Sequence, residues 1–132
     1  MKSITVVADD RVGLLADVSY ILAKSRINIE SITVEIVSGK AIIFMGLSDS
    51  KKGKDVLEAA TYNVESDTLV VKVPPGEMEK LNAELSKNGV KVESSKVLAK
   101  DDKVEVVSLA VDKTKRASKV LQKYLITNEE GR

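Results

Sequence analysis

Arg26-Ile-Asn-Ile-Glu-Ser31 and Gly89-Val-Lys-Val-Glu-Ser94 are one phrase written twice, 63 residues apart. The same shift sets Gly13 under Gly76, Val18 under Leu81, Leu22 under Leu85 and Asp49 under Asp112. A loop glycine, two helix-core positions, a strand and a later acidic residue all obey one offset. The chain is therefore an internal repeat, and a repeat constrains the architecture before any single residue is interpreted.

Working outward, each copy has the same order of elements. Ile4, Val6 and Ala8 alternate with Thr5 and Val7 as a strand. Asp9 and Asp10 follow as N-cap candidates, and Gly13 sits in the turn that opens a helix. Leu14, Leu15, Val18, Ile21 and Leu22 fall on one helical face. Ile27 to Val37 is a β-branched run whose parity changes near Glu30-Ser31, as a bulge would make it do. Ser38-Gly39-Lys40 reads as a hairpin and Ala41 to Leu47 as a central strand. Ser48-Asp-Ser50 caps a second helix with Val56, Leu57 and Ala60 inward, and Tyr62-Asn-Val64 closes the copy as a short strand.

The second copy repeats this through Thr68–Val73, the loop Pro74-Pro-Gly76, a helix stripe of Met78, Leu81 and Leu85, and strands at Val90–Ala99 and Val104–Val111. A last helix buries Ala117, Val120, Leu121 and Tyr124. Leu125-Ile-Thr127 remains for a closing strand, and Asn128–Arg132 for a frayed tail. The expected fold is α+β: two ferredoxin-like βαββαβ units in tandem, residues 1–66 and 67–132, with antiparallel sheets and helices on one face. The linker Glu65-Ser-Asp67 is short enough to make the pair one rigid body.

Composition narrows the function. At 132 residues the chain is long enough to bury about two thirds of its unfolded surface, but a half alone is marginal, which favours a shared interface or a homo-oligomer. Aromatics are 3% of residues, so the core is built from Val, Ile, Leu and Ala. With 21 basic and 20 acidic residues interspersed, no positive field exists to hold phosphate backbones, and nucleic acid is not an expected partner. The absence of Cys and His removes disulfides, thiolate or imidazole metal sites and Ser-His or Cys-His nucleophiles. No enzyme activity, metal or cofactor is expected. No apolar run approaches membrane-spanning length, and Met1-Lys-Ser-Ile-Thr5 enters a strand without a signal-like apolar region. The expectation is a soluble cytoplasmic protein without a membrane partner.

Asp10-Arg-Val-Gly-Leu-Leu-Ala-Asp-Val18 joins strand to helix. Gly13 admits a close approach to the backbone, and the free N–H groups of a helix's first turn suit a carboxylate. Asn28 opens the following strand, which runs back antiparallel to the helix. It therefore meets a neighbouring unit's loop more readily than its own.

Together with Asn28-Ile29, this segment resembles the signature of ACT domains, the βαββαβ regulatory modules of amino-acid metabolism and nitrogen signalling. Pro74-Pro-Gly-Glu-Met78 with Gly89-Val90 is a weaker second match. The resemblance implies side-by-side pairing of units into an eight-stranded sheet. It also implies a small effector, most often an amino acid, at the junction of one unit's loop and its neighbour's strand. Carried over, the ligand-binding positions are Asp10, Arg11, Val12, Gly13, Leu14, Leu15, Asn28 and Ile29. Val12 stands where proline is frequent. In the second copy the counterparts of Asp10 and Asn28 are Val73 and Lys91, so any polar site belongs to the first copy. Two functions remain open at this level. One is an amino-acid-sensing regulatory module acting through oligomerisation or an enzyme or regulator partner. The other is a ligand-free assembly module that uses its exposed edge strands.

Overall fold

The computed structural model describes residues 3–126. The chain divides into two compact units between Asp67 and Thr68, one residue beyond the boundary read from the sequence.

The first unit runs β1 (Ser3–Asp9), α1 (Leu14–Lys24), β2 (Ile29–Val37), β3 (Lys40–Leu47), α2 (Ser50–Ala59) and β4 (Asn63–Ser66). Its four strands lie in the order β2-β3-β1-β4, all pairs antiparallel. The helix-facing layer is set by alternation: Ile4 and Val6 of β1 and Ile43 and Met45 of β3 bury against Leu14, Val18 and Leu22 of α1 and Leu57 of α2. The predicted parity break in β2 is a register shift between Ile29 and Ser31. Ser38 and Gly39 both take positive φ (53° and 78°), the two-residue turn that matches strand twist. β4 begins one residue later than expected, leaving Tyr62 outside the sheet.

The second unit runs β5 (Leu69–Val73), α3 (Met78–Lys87), β6 (Val92–Lys100), β7 (Glu105–Val111) and α4 (Thr114–Val120). Its strands are ordered β5-β7-β6, over a core of Val71, Leu81, Leu85, Leu109, Ala117 and Leu121. The fourth strand shrinks to one antiparallel bridge, Val71 to Leu125, flanked by Lys72 N–H to Tyr124 O (2.8 Å) and Ile126 N–H to Val70 O (3.2 Å). Thr127 and the expected tail lie outside the described residues. β6 carries a second bulge, between Val97 and Ala99, that the first copy lacks.

Three helices end in the same device. After α1, Ile27 N–H bonds Leu22 O and Arg26 N–H bonds Ala23 O, both at 2.9 Å. The corresponding pairs after α2 run from Tyr62 and Thr61, and after α3 from Val90 and Gly89. This is the Schellman arrangement, which needs a left-handed residue at its corner. Gly89 fills it without strain, whereas Arg26 (φ 60°) and Thr61 (φ 70°) adopt it against their Cβ.

The repeat offset drifts late in each copy. Asp49 caps α2, accepting Lys52 N–H at 3.0 Å, but its structural counterpart at the start of α4 is Lys113. Asp112 instead does the work of Ser48. Its carboxylate accepts Lys91 N–H (2.9 Å), as Ser48 Oγ accepts Asn28 N–H (2.9 Å).

Candidate functional site

The β1–α1 loop is tied to the β2–β3 hairpin. Asp10 N–H bonds Gly39 O at 2.9 Å, and the Asp9 carboxylate pairs with Lys40 Nζ at 2.7 Å. The Lys40 hydrogen bond and charge hold the Asp9 carboxyl below its ordinary range. Neither aspartate caps α1, contrary to the sequence expectation. The cap is Gly13 itself, in the left-handed conformation (φ 84°) and without a side-chain hydrogen bond. Two things follow. The Asp10 carboxylate is exposed and has no partner among the described residues. The Leu14 N–H turns back to Arg11 O (3.2 Å), which leaves the Leu15 and Ala16 N–H groups of the first turn without an acceptor among the described residues. A Cβ placed on Gly13 would meet nothing within 4 Å, so the space over the loop is open.

Arg11 is not free in that space. Its Nη2 donates to Tyr62 Oη at 2.9 Å and lies 3.5 Å from Asp17 Oδ2. The Tyr62 hydroxyl donates in turn to Asp17 Oδ2 in a short hydrogen bond. Burial, and then the Asp17 carboxylate, push the Tyr62 phenol above its ordinary pKa, so it stays a donor at neutral pH. This clamp was not read from the sequence. Tyr62 and Asp17 are 45 residues apart. The repeat gave no hint either, since their counterparts at the common shift are Leu125 and Lys80.

A cavity of about 350 Å³ opens beside the loop. Asp10, Arg11 and Gly13 form one side, and Leu14, Leu15 and Ala16 the helix wall. Val34 and Ile36 of β2 and Ala41 of β3 close the rest. Of the predicted positions, Asp10, Arg11, Gly13, Leu14 and Leu15 converge here, although Leu14 is mainly core at 3% exposure. Val12 does not line the cavity and is 99% exposed.

Asn28 and Ile29 stand at the opposite end of β2. Ile29 pairs with Leu47 while the loop abuts Lys40, a span of seven residues along β3, or roughly 23 Å. Within one unit the structure therefore does not bring them to Gly13. Ile29 packs partly buried against the core, and the Asn28 side chain makes no hydrogen bond among the described residues. β2 is an edge strand, and its helix-side residues Ile32, Val34 and Ile36 are all exposed.

The second unit keeps the turn but not its polar groups. Gly76 has φ 85° and open space for a Cβ, yet Val73 is a buried strand residue and Lys91 an exposed cation. The Lys91 backbone N–H, then Lys113, lower the Asp112 pKa, so that carboxylate is spent on closing the unit.

A β2-β3-β1-β4 sheet with both helices on one face is the ferredoxin-like βαββαβ layout. Residues 2–60, nearly the whole first unit, match the ACT domain, and the second unit repeats the same order of elements up to its closing strand. No curated relative matches the chain. Among solved structures, a protein from Bacteroides thetaiotaomicron is 22% identical, with 98% of this chain and 93% of that one covered at a TM-score of 0.51. A protein from Galdieria sulphuraria is 20% identical over 92% of this chain and 89% of its own, at 0.44. The ligand-free regulatory subunit of aspartate kinase from Thermus thermophilus is 14% identical over 92% and 91%, also at 0.44. At 22% identity the first of these is a likeness of fold. Among the described residues no helix is long and apolar enough to cross a membrane.

Proposed function

We propose that the protein is a regulatory module that senses an amino acid at the β1–α1 loop of its first unit and transmits the bound state through pairing with a second copy or with a regulated partner. The observation that carries this reading is the open space over Gly13, edged by two unsatisfied N–H groups and an unpaired carboxylate. The Leu15 and Ala16 N–H groups suit an α-carboxylate, helped by the positive end of the helix dipole. Asp10 suits the α-ammonium.

Asn28 joins from a neighbour. If two β2 strands pair antiparallel about their midpoint, Thr33, residue 28 of one faces residue 38 of the other. Residue 38 adjoins Gly39, whose carbonyl holds Asp10. A ligand seated there touches both copies, and linkage makes it stabilise the pair. The exposed Ile32, Val34 and Ile36 also favour a second reading, in which the edge strand assembles without any ligand.

Thermal unfolding across the twenty L-amino acids separates the two. A ligand at 100 times its Kd stabilises by about 2.7 kcal/mol, which moves Tm by roughly 10–20 °C for units of this size. Asp10→Ala and Asn28→Ala should lose that shift while unfolding like the parent without ligand, and light scattering should show ligand-strengthened association. Unchanged responses in both variants would place the site elsewhere. No response to any amino acid would leave the assembly reading.

A further inference from the structure

The geometry points to an effector with an aliphatic side chain, of the valine, leucine and isoleucine class. This rests on the amino-acid-sensing reading above and concerns only the wall its polar groups do not use. Once the α-carboxylate and α-ammonium are matched to the loop, the remaining surface is Leu15, Val34, Ile36 and Ala41. None of these carries a side-chain donor or acceptor. A Ser, Asn, Asp or Lys side chain against them would lose water and gain no partner.

Among the described residues lining the cavity the one cation, Arg11, is already partly neutralised. Its Nη2 donates to Tyr62 at 2.9 Å and lies 3.5 Å from Asp17, so an incoming carboxylate would share the guanidinium with a carboxylate already beside it. None of the described residues lining the space is aromatic, so they offer an aromatic effector no stacking surface. A volume of about 350 Å³ lies at the small end of the range for ligand sites, a scale that suits one amino acid. The apolar residues are also partly solvated without ligand: Leu15 is 44%, Val34 36% and Ile36 53% exposed. An alkyl group laid on them thus removes apolar surface on both sides.

Each buried methylene contributes about 0.8 kcal/mol, roughly fourfold in affinity, so leucine or isoleucine should exceed alanine by tenfold or more. The test is titration calorimetry of the full chain with L-Leu, L-Ile, L-Val, L-Ala, L-Ser, L-Asp, L-Lys and L-Phe, repeated on Val34→Ser, Ile36→Ser and Asp10→Ala. We expect the three branched aliphatics to bind tightest. Val34→Ser and Ile36→Ser should lower the Leu-to-Ala affinity ratio several-fold, a ratio that cancels any change in association between copies. Asp10→Ala should weaken every ligand alike. If a polar, charged or aromatic amino acid binds best and Asp10→Ala abolishes it, the aliphatic inference falls while the sensing site stands. If no amino acid binds, both fall.

Discussion

Gly53 offers a quantitative check on how α2 is seated. It is buried within Lys51-Lys-Gly-Lys54, a helix start otherwise made of lysines. A methyl added there would overlap Leu47 Cδ1 and touch Leu22 Cδ2 at 3.6 Å. Leu47 is 2% exposed and has little room to yield. Overpacking of this kind costs about 1–3 kcal/mol, while alanine over glycine returns about 0.8–1 kcal/mol of helix propensity. Gly53→Ala should thus destabilise by around 1 kcal/mol. Leu47→Ala alone should cost about 2–5 kcal/mol, because it leaves a cavity beneath the helix. In that background the new methyl enters vacated space, and Gly53→Ala should become stabilising by up to about 1 kcal/mol. Urea unfolding of the four proteins, followed by amide circular dichroism, measures the cycle. If Gly53→Ala stabilises both backgrounds equally, the glycine is not a contact between helix and sheet and the packing argument is wrong.

Three further outcomes are expected. Arg26→Gly should stabilise by about 0.5–1 kcal/mol, since the left-handed corner after α1 is occupied by glycine in the second copy; a loss of stability on denaturation would refute this. Ser118→Ala should raise stability by about 1 kcal/mol, because the Ser118 hydroxyl is buried with no hydrogen-bond partner among the described residues; a lower Tm would show that the hydroxyl is satisfied. Asp112 has a folded pKa below its ordinary 3.8, so its contribution is complete above that value and is lost as pH falls through the depressed one. Asp112→Asn should therefore flatten the acid limb of a stability–pH curve below about pH 4, and an unchanged limb would contradict the assignment.

The repeat, the element order, the hairpin at Ser38-Gly39 and the bulge near Glu30 were legible because each leaves a local mark: an offset, an alternation or a turn residue. The helix stripe of Leu14, Val18 and Leu22 was legible for the same reason. Ala60 was misread as core. The register of α2 gives its inward place to Gly53, and close approach of a backbone has no hydrophobic signature. Asp9 and Asp10 looked like caps because aspartate before a helix usually is one. A lysine on β3 and a carbonyl in the hairpin claim this strand end instead, and neither is visible from the segment alone. The Arg11–Tyr62–Asp17 clamp is a long-range contact on which the repeat is silent. Asn28 lies at the far end of β2 from its own loop because the strand starts where α1 ends and runs back antiparallel to it.

The most direct measurement mixes two broken proteins. If each site takes Asp10 from one copy and Asn28 from the other, Asp10→Ala and Asn28→Ala homodimers both lack every complete site. Their heterodimer carries one intact site and one doubly damaged one. Statistical exchange would make half the dimers mixed, restoring about a quarter of the parent's effector-binding capacity at parent affinity. That partial recovery is the predicted result. Two inert variants that stay inert after demonstrated subunit exchange would show that no site is shared between copies.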